Sequence, residues 1–224
     1  MSFKEQWNIE KEKLGKMKAK DKFEYIWEYY KYWIIGIIAC VFLIYGIVDA
    51  QIENSKDTYL YVTMVNSSLA SSGEITLLDD FAAAKGINTS KVRVNLDTSI
   101  QMTEDMSDEY SINCSAKMFA QFAAKTIDVT IMNKSMIDFF DDKDAFYPLN
   151  EVLPANFYNT HKDQFITGTD SDGNTYICAM DISDSKLFQK FNAYSETPYF
   201  SIISNTENPE HCIEFLTYLY SENE

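Results

Sequence analysis

Arginine is almost missing from this chain. Arg93 is the one Arg among 19 basic residues, and 34 acidic residues oppose them for a formal net charge of −15. Binding to nucleic acid needs cationic surface for the phosphates, so that class is excluded. Histidine is scarce as well, with His161 and His211 far apart in the chain. There is no H-E-x-x-H, G-x-S-x-G, P-loop or G-x-G-x-x-G pattern, so no catalytic or nucleotide-binding signature is present. The four Cys contain no C-x-x-C pair, which removes thioredoxin-like and Cys-based zinc sites. Gly 7 and Pro 4 exclude collagen-like and low-complexity chains. The expectation is a non-enzymatic protein with no cofactor and no metal.

What is present is apolar and aromatic: 46% hydrophobic and 15% Phe, Trp and Tyr, enough for a packed core. Charge is unevenly distributed. Residues 1–48 carry eight Lys against six acids, a net of +2, and residues 49–224 carry 11 bases against 28 acids, a net of −17. Between these regions, Tyr32 to Val48 reads YWIIGIIACVFLIYGIV without a charge. As a helix this run spans about 25 Å, close to the thickness of a hydrocarbon core. Tyr25, Trp27, Tyr29, Tyr30 and Trp33 crowd its N-terminal side, where amphipathic rings favour the headgroup layer. The expected organisation is a cytoplasmic lysine-rich helical segment over 1–31, a transmembrane helix over 32–52 and an extracytoplasmic domain over 57–224. The positive flank sets that single-pass orientation, N-terminus inside, with Trp7, Ile9, Leu14 and Met17 spaced for a helix along the anionic leaflet. The lipid bilayer is thus the first expected partner.

Two processing signals compete with a retained anchor. Val48-Asp49-Ala50 has the small residues of a signal-peptidase site, and Ile37-Ile38-Ala39-Cys40 resembles a bacterial lipobox. The long polar N-terminal region argues against the first, and the apolar run beyond Cys40 argues against the second. In the outer region Cys114, Cys178 and Cys212 allow one disulfide with a Cys left over, or three free thiols. The abundance of Lys, Ile, Asn and Tyr beside one Arg points to an AT-rich bacterial genome.

From residue 57 the pattern alternates. Thr58–Val65 and Lys91–Leu96 read as strands, as does Ile127–Met132. Helices are expected over Ile75–Lys85, stopped by Gly86, over Ala116–Lys125, and from Ser135 to Phe140. This β-α-β-α-β-α order predicts an α/β fold: a mostly parallel sheet with helices on both faces. Further on, Phe165 starts a hairpin turning at Asp170–Asn174 and returning over Thr175–Met180. A strand at Tyr199–Ile203 precedes a last helix from Asn208-Pro209 to Leu219.

The order of these signals resembles the first lobe of bacterial extracellular solute-binding proteins, the periplasmic-binding-protein-like type II fold. The residues that carry it are Ile127-Asp128-Val129-Thr130-Ile131, the helix from Ser135, Tyr147-Pro148-Leu149-Asn150, the Asp172-Gly173-Asn174-Thr175-Tyr176 turn, and Asn205–Glu210 leading into Ile213–Leu219. The resemblance implies a single such lobe on a membrane anchor, because the stretch between Tyr176 and Asn208 has no room for the family's second lobe. A binding or assembly module of the cell envelope is therefore expected. Its partners would be a transport or secretion complex or a small solute. A substrate receptor of an ABC-type transporter is the alternative, and an external hydrolase ranks below it.

For an α/β sheet the ligand crevice lies beyond the carboxyl ends of the strands. That points to Asn66, Ser67 and Ser68 after the first strand, to Asp97 after the second, and to Asn133, Lys134 and Ser135 after the third. The last group opens a helix whose N-terminus suits an anion. Asp138, Asp141, Asp142 and Asp144 read as a solvated acidic face. Asp170–Asn174 resembles the start of a calcium loop but lacks its downstream Glu, so a hairpin turn is expected.

Overall fold

One helix, α1, runs from Ala19 to Asn54. The computed structural model describes residues 11, 15, 17–54, 56–71 and 75–222, and the chain divides into two compact units, Met1–Ser55 and Lys56–Glu224. Within α1 the window Tyr30–Val48 has mean hydropathy 2.1 and no buried residue. Phe42, Tyr45 and Trp33 are each more than two-thirds exposed. A helix apolar on every side has no polar face to give to water. It is long and apolar enough to cross a membrane, and a signal sequence has the same length and position. The helical segment expected around Trp7–Met17 lies largely outside the described residues.

The second unit follows the order β1 (Asp57–Val65), α2 (Leu77–Lys85), β2 (Val92–Ile100), α3 (Glu109–Ala123), β3 (Val129–Met132), α4 (Lys134–Asp141), α5 (Leu149–Val152), α6 (Ala155–Thr160), β4 (Phe165–Thr169), β5 (Thr175–Asp181), α7 (Lys186–Gln189), β6 (Tyr199–Ile202) and α8 (Pro209–Leu219). Caps set several boundaries. Gly86 closes α2 at φ 67, the left-handed conformation that a residue without Cβ adopts freely. Asp108 opens α3 by accepting from the Ser111 N–H at 2.8 Å.

All six strands form one open sheet, ordered β2-β1-β3-β6-β5-β4. β1 pairs parallel with both β2 and β3. β3–β6, β6–β5 and β5–β4 pair antiparallel. The mostly parallel sheet expected from the sequence is therefore corrected to a mixed one. The alternation expected of the first three strands does produce a parallel half. In the remainder, the helix between β5 and β6 has four residues and rises only about 6 Å, too little to carry the chain back along β5.

Two cores flank the sheet. Leu60, Val62 and Met64 of β1 join Val129, Ile131, Phe200 and Ile202 against α2 and α8, whose Phe81, Phe215 and Leu216 are fully buried. On the other face Val65 and Met132 pack with Met118 of α3 and with Met136, Ile137 and Phe140 of α4. A row of hydroxyls crosses this second face. Thr63 is in register with Thr130, and Thr130 with Ser201. All three are fully buried, and their hydroxyls have no hydrogen-bond partner among the described residues.

Asp128, at the entry to β3, is 1% exposed. Its Oδ2 accepts from the Tyr61 N–H at 2.8 Å. Its Oδ1 accepts from the Thr206 hydroxyl at 2.5 Å and from Asn208 Nδ2 at 3.3 Å. One carboxylate thereby ties β1, β3 and the loop ahead of α8 together.

Candidate functional site

Two asparagines mark the carboxyl ends of β1 and β3. Asn66 leaves β1 at φ 58, a conformation Asn tolerates better than most residues. Its side chain takes both backbone groups of Met102: Oδ1 accepts from the N–H at 2.7 Å and Nδ2 donates to the carbonyl at 2.9 Å. That clamp holds the segment after β2 beside the end of β1. Asn133 follows β3 as the residue before α4 and is 7% exposed. Its Nδ2 donates to Glu196 at 2.9 Å, while its Oδ1 has no partner among the described residues. Tyr194 is anchored from the loop ahead of β6, its hydroxyl donating to the Ile131 carbonyl at 2.7 Å. Burial pushes this phenol well above its ordinary range.

A cavity of about 570 Å³ opens among these groups. Its lining comes from Asn66 and Asn133, from Met102–Asp105, and from Tyr194–Glu196. Glu104, Asp105 and Glu196 supply carboxylates, and the lining contains no Lys, Arg or His. Asp105 is held below the usual carboxylate range by hydrogen bonds from Ser107. Asn66 spends its polar groups on Met102, and Tyr194 spends its hydroxyl on Ile131, so the carboxylates dominate what the cavity offers. This chemistry favours a ligand that donates hydrogen bonds and carries positive charge. Asn133, the residue before α4, thus shares this space with the acids of two loops.

The remaining sequence candidates lie elsewhere. Ser67 is buried and its hydroxyl accepts from the Leu69 N–H at 3.0 Å. Ser68 donates from its N–H and its hydroxyl to Ala193 and Asn192. Asp97 sits within β2 rather than after it, because the strand continues to Ile100. There it accepts from Lys117 Nζ at 3.0 Å and from Ser99, and its carboxyl lies below the usual range despite partial burial, which opposes that shift. Lys134 pairs with Asp138 one turn along α4. Ser135 is half-buried with a hydroxyl that has no partner among the described residues. The residues missed by sequence reasoning are Met102–Asp105 and Tyr194–Glu196. The first set lay in a stretch legible as polar loop; no periodicity marks the second.

Other chemistry is engaged structurally. His161 Nδ1 meets Gln164 Oε1 at 2.9 Å, and its ring lies against Phe157 and Tyr220. His211 Nδ1 meets the Tyr59 carbonyl at 2.8 Å and its ring stacks on Tyr59 at 3.6 Å. All four cysteines are free. Burial pushes the Cys178 thiol up to about 12 and the Cys212 thiol higher still, so neither supplies a thiolate at neutral pH. Asp170 accepts from the N–H groups of Asp172 and Asn174 at 3.0 and 2.7 Å, which makes the loop resembling a calcium site the turn of the β4–β5 hairpin. Among the described residues no group of three or more His, Cys, Asp or Glu is placed to hold a metal ion.

No family model matches the chain, and neither does any curated protein or solved structure.

Proposed function

We propose that this chain is a membrane-anchored, extracytoplasmic binding module that works without catalysis, its outer domain serving as a single solute-binding-protein-like lobe. The supporting observation is the position of the cavity: beyond the carboxyl ends of three parallel strands, where α/β sheets place their ligands. In this reading α1 is retained as the anchor, the lysine-rich N-terminus stays cytoplasmic, and the acidic domain faces outward. Carboxylates of Glu104, Asp105 and Glu196 select a cationic, donor-rich group, either on a small solute or on a partner in a transport or secretion complex.

The test is thermal unfolding of the full chain in detergent against alkylamines, diamines, guanidinium compounds and amino sugars, with dicarboxylates and inorganic phosphate as contrast. A ligand at about 100 times its Kd stabilises by about 2.7 kcal/mol, roughly 5–10 °C for a domain of this size. The cationic compounds are expected to raise Tm, and the paired change Glu104→Gln with Glu196→Gln to abolish the rise. Stabilisation by the anions alone would overturn the ligand assignment.

A further inference from the structure

β2 ends the sheet, and no described strand pairs with its outer side. Which of its backbone groups face outward follows from the register. Tyr61 directs both its N–H and its C=O to the β3 side, where they meet Asp128, so Leu60 and Val62 direct theirs to β2. Parallel pairing of Leu60 with Val94 and of Val62 with Leu96 then turns Arg93, Asn95 and Asp97 inward to β1 and leaves the N–H and C=O of Val94 and Leu96 facing out. Open strand edges of this kind template pairing with another strand.

We propose that two copies of this chain pair through β2, antiparallel, about a two-fold axis at Asn95. The sequence of the strand is complementary to itself in that register. Val94 lies opposite Leu96 of a second copy, and each pair exchanges both backbone hydrogen bonds, repeated by the axis. Both residues are partly buried against the α2–α8 core, so cross-strand contact extends that core between copies. On the other face Arg93 lies opposite Asp97 of the second copy, in a pair of the closely spaced, non-hydrogen-bonded kind. Arg93 is the chain's one arginine, and its Nε is buried without a partner among the described residues. Asp97 Oδ1 already accepts from the Ser99 N–H and hydroxyl, and Oδ2 from Lys117 Nζ at 3.0 Å, so a guanidinium N–H takes the acceptor position left on Oδ2. A two-fold interface requires such a match of a patch with itself.

The experiment is position-specific crosslinking of the full chain in detergent micelles, with Cys40→Ser to silence the exposed native thiol. Asn95→Cys sits on the axis facing its own copy and is expected to form a disulfide-linked dimer under mild oxidation. Lys91→Cys lies about 26 Å from its copy at the strand rise per residue and is expected to stay monomeric. Charge exchange supplies the second arm. Arg93→Asp alone and Asp97→Arg alone place like charges opposite each other and are expected to sediment as monomers. Their mixture restores both pairs and is expected to sediment as a dimer. Equal crosslinking at 91 and 95 would overturn the proposal, as would a monomeric wild-type chain, or a mixture no more dimeric than its parts. Circular dichroism of each variant separates loss of pairing from loss of fold.

Discussion

Replacing Asp128 with Ala should cost this domain more than any other single change of a polar side chain. The carboxylate is 1% exposed and receives the Tyr61 N–H, the Thr206 hydroxyl and the Asn208 amide. Hydrogen bonds to a charged group contribute about 1.5–3 kcal/mol each, and they do not add fully within one network. Removing the acceptor also leaves a backbone N–H and a hydroxyl buried without partners, at about 1–3 kcal/mol each where water cannot reach them. Partial relaxation brings the expected total to about 3–5 kcal/mol. For a domain of this size each kcal/mol shifts Tm by about 2–4 °C, so a drop of roughly 10 °C is expected. Asp128→Asn keeps the shape and one acceptor oxygen, and should fall between the variant and wild type. Urea unfolding of the full chain in detergent, followed by near-ultraviolet circular dichroism, reads the difference directly. A loss below about 1 kcal/mol for Asp128→Ala would refute the claim that this side chain staples β1, β3 and the α8 loop.

Other expectations follow from the same geometry. Thr130→Val removes a buried hydroxyl with no partner among the described residues and should stabilise by about 1 kcal/mol in the same unfolding assay; a destabilised variant would contradict this. A Cβ added at Gly168 would collide with the Asp141 carboxylate, which accepts from the Tyr176 hydroxyl at 2.6 Å. Gly168→Ala should therefore cost about 1–2 kcal/mol, and an unchanged melting curve would count against the contact. Hydrogen bonds from Ser111 lower the Asp108 carboxyl from 3.8 to about 2. A depressed carboxylate stabilises above its unfolded pKa, and the benefit fades as pH falls from about 4 through 2. The protection factor of the Ser111 amide should fall over that window, and protection independent of pH there would refute the cap. Burial first, and then the hydrogen bond to Glu214, push the Tyr59 phenol from 10.0 up to about 12. A raised acid stabilises below its unfolded pKa and loses that effect as pH climbs from 10 to 12. Glu214→Gln should bring the ultraviolet phenolate transition of Tyr59 to lower pH; an unmoved transition would contradict the assigned contact.

The parallel half of the sheet was legible because each of its signals is local. Gly86 stops α2, the alternation Val92, Val94, Leu96 marks β2, and the polar break at Asn133 ends β3. The β4–β5 hairpin was equally legible from Asp170–Asn174. The place of β6 between β3 and β5 was not, since pairing of Tyr199–Ile202 with Val129–Met132 is a non-local choice that no short window encodes. From the sequence Asp97 reads as a post-strand residue, because polar side chains at 97–99 look like a break. Its register with Thr63 on β1, and a shift before Val65 pairs with Ile100, carry the strand through them. The cavity shows the same division. Asn66 and Asn133 stand at strand ends that periodicity locates, whereas Tyr194–Glu196 arrive on a loop whose position depends on where β6 inserts.

Protease digestion of intact cells bearing the full chain with a C-terminal tag most directly tests the account of an outward-facing anchored domain. Proteinase K is expected to remove the tagged domain from intact cells and to leave a short N-terminal fragment in the membrane pellet. Survival of the tag until the membrane is permeabilised, or recovery of the intact domain in the soluble fraction, would contradict it.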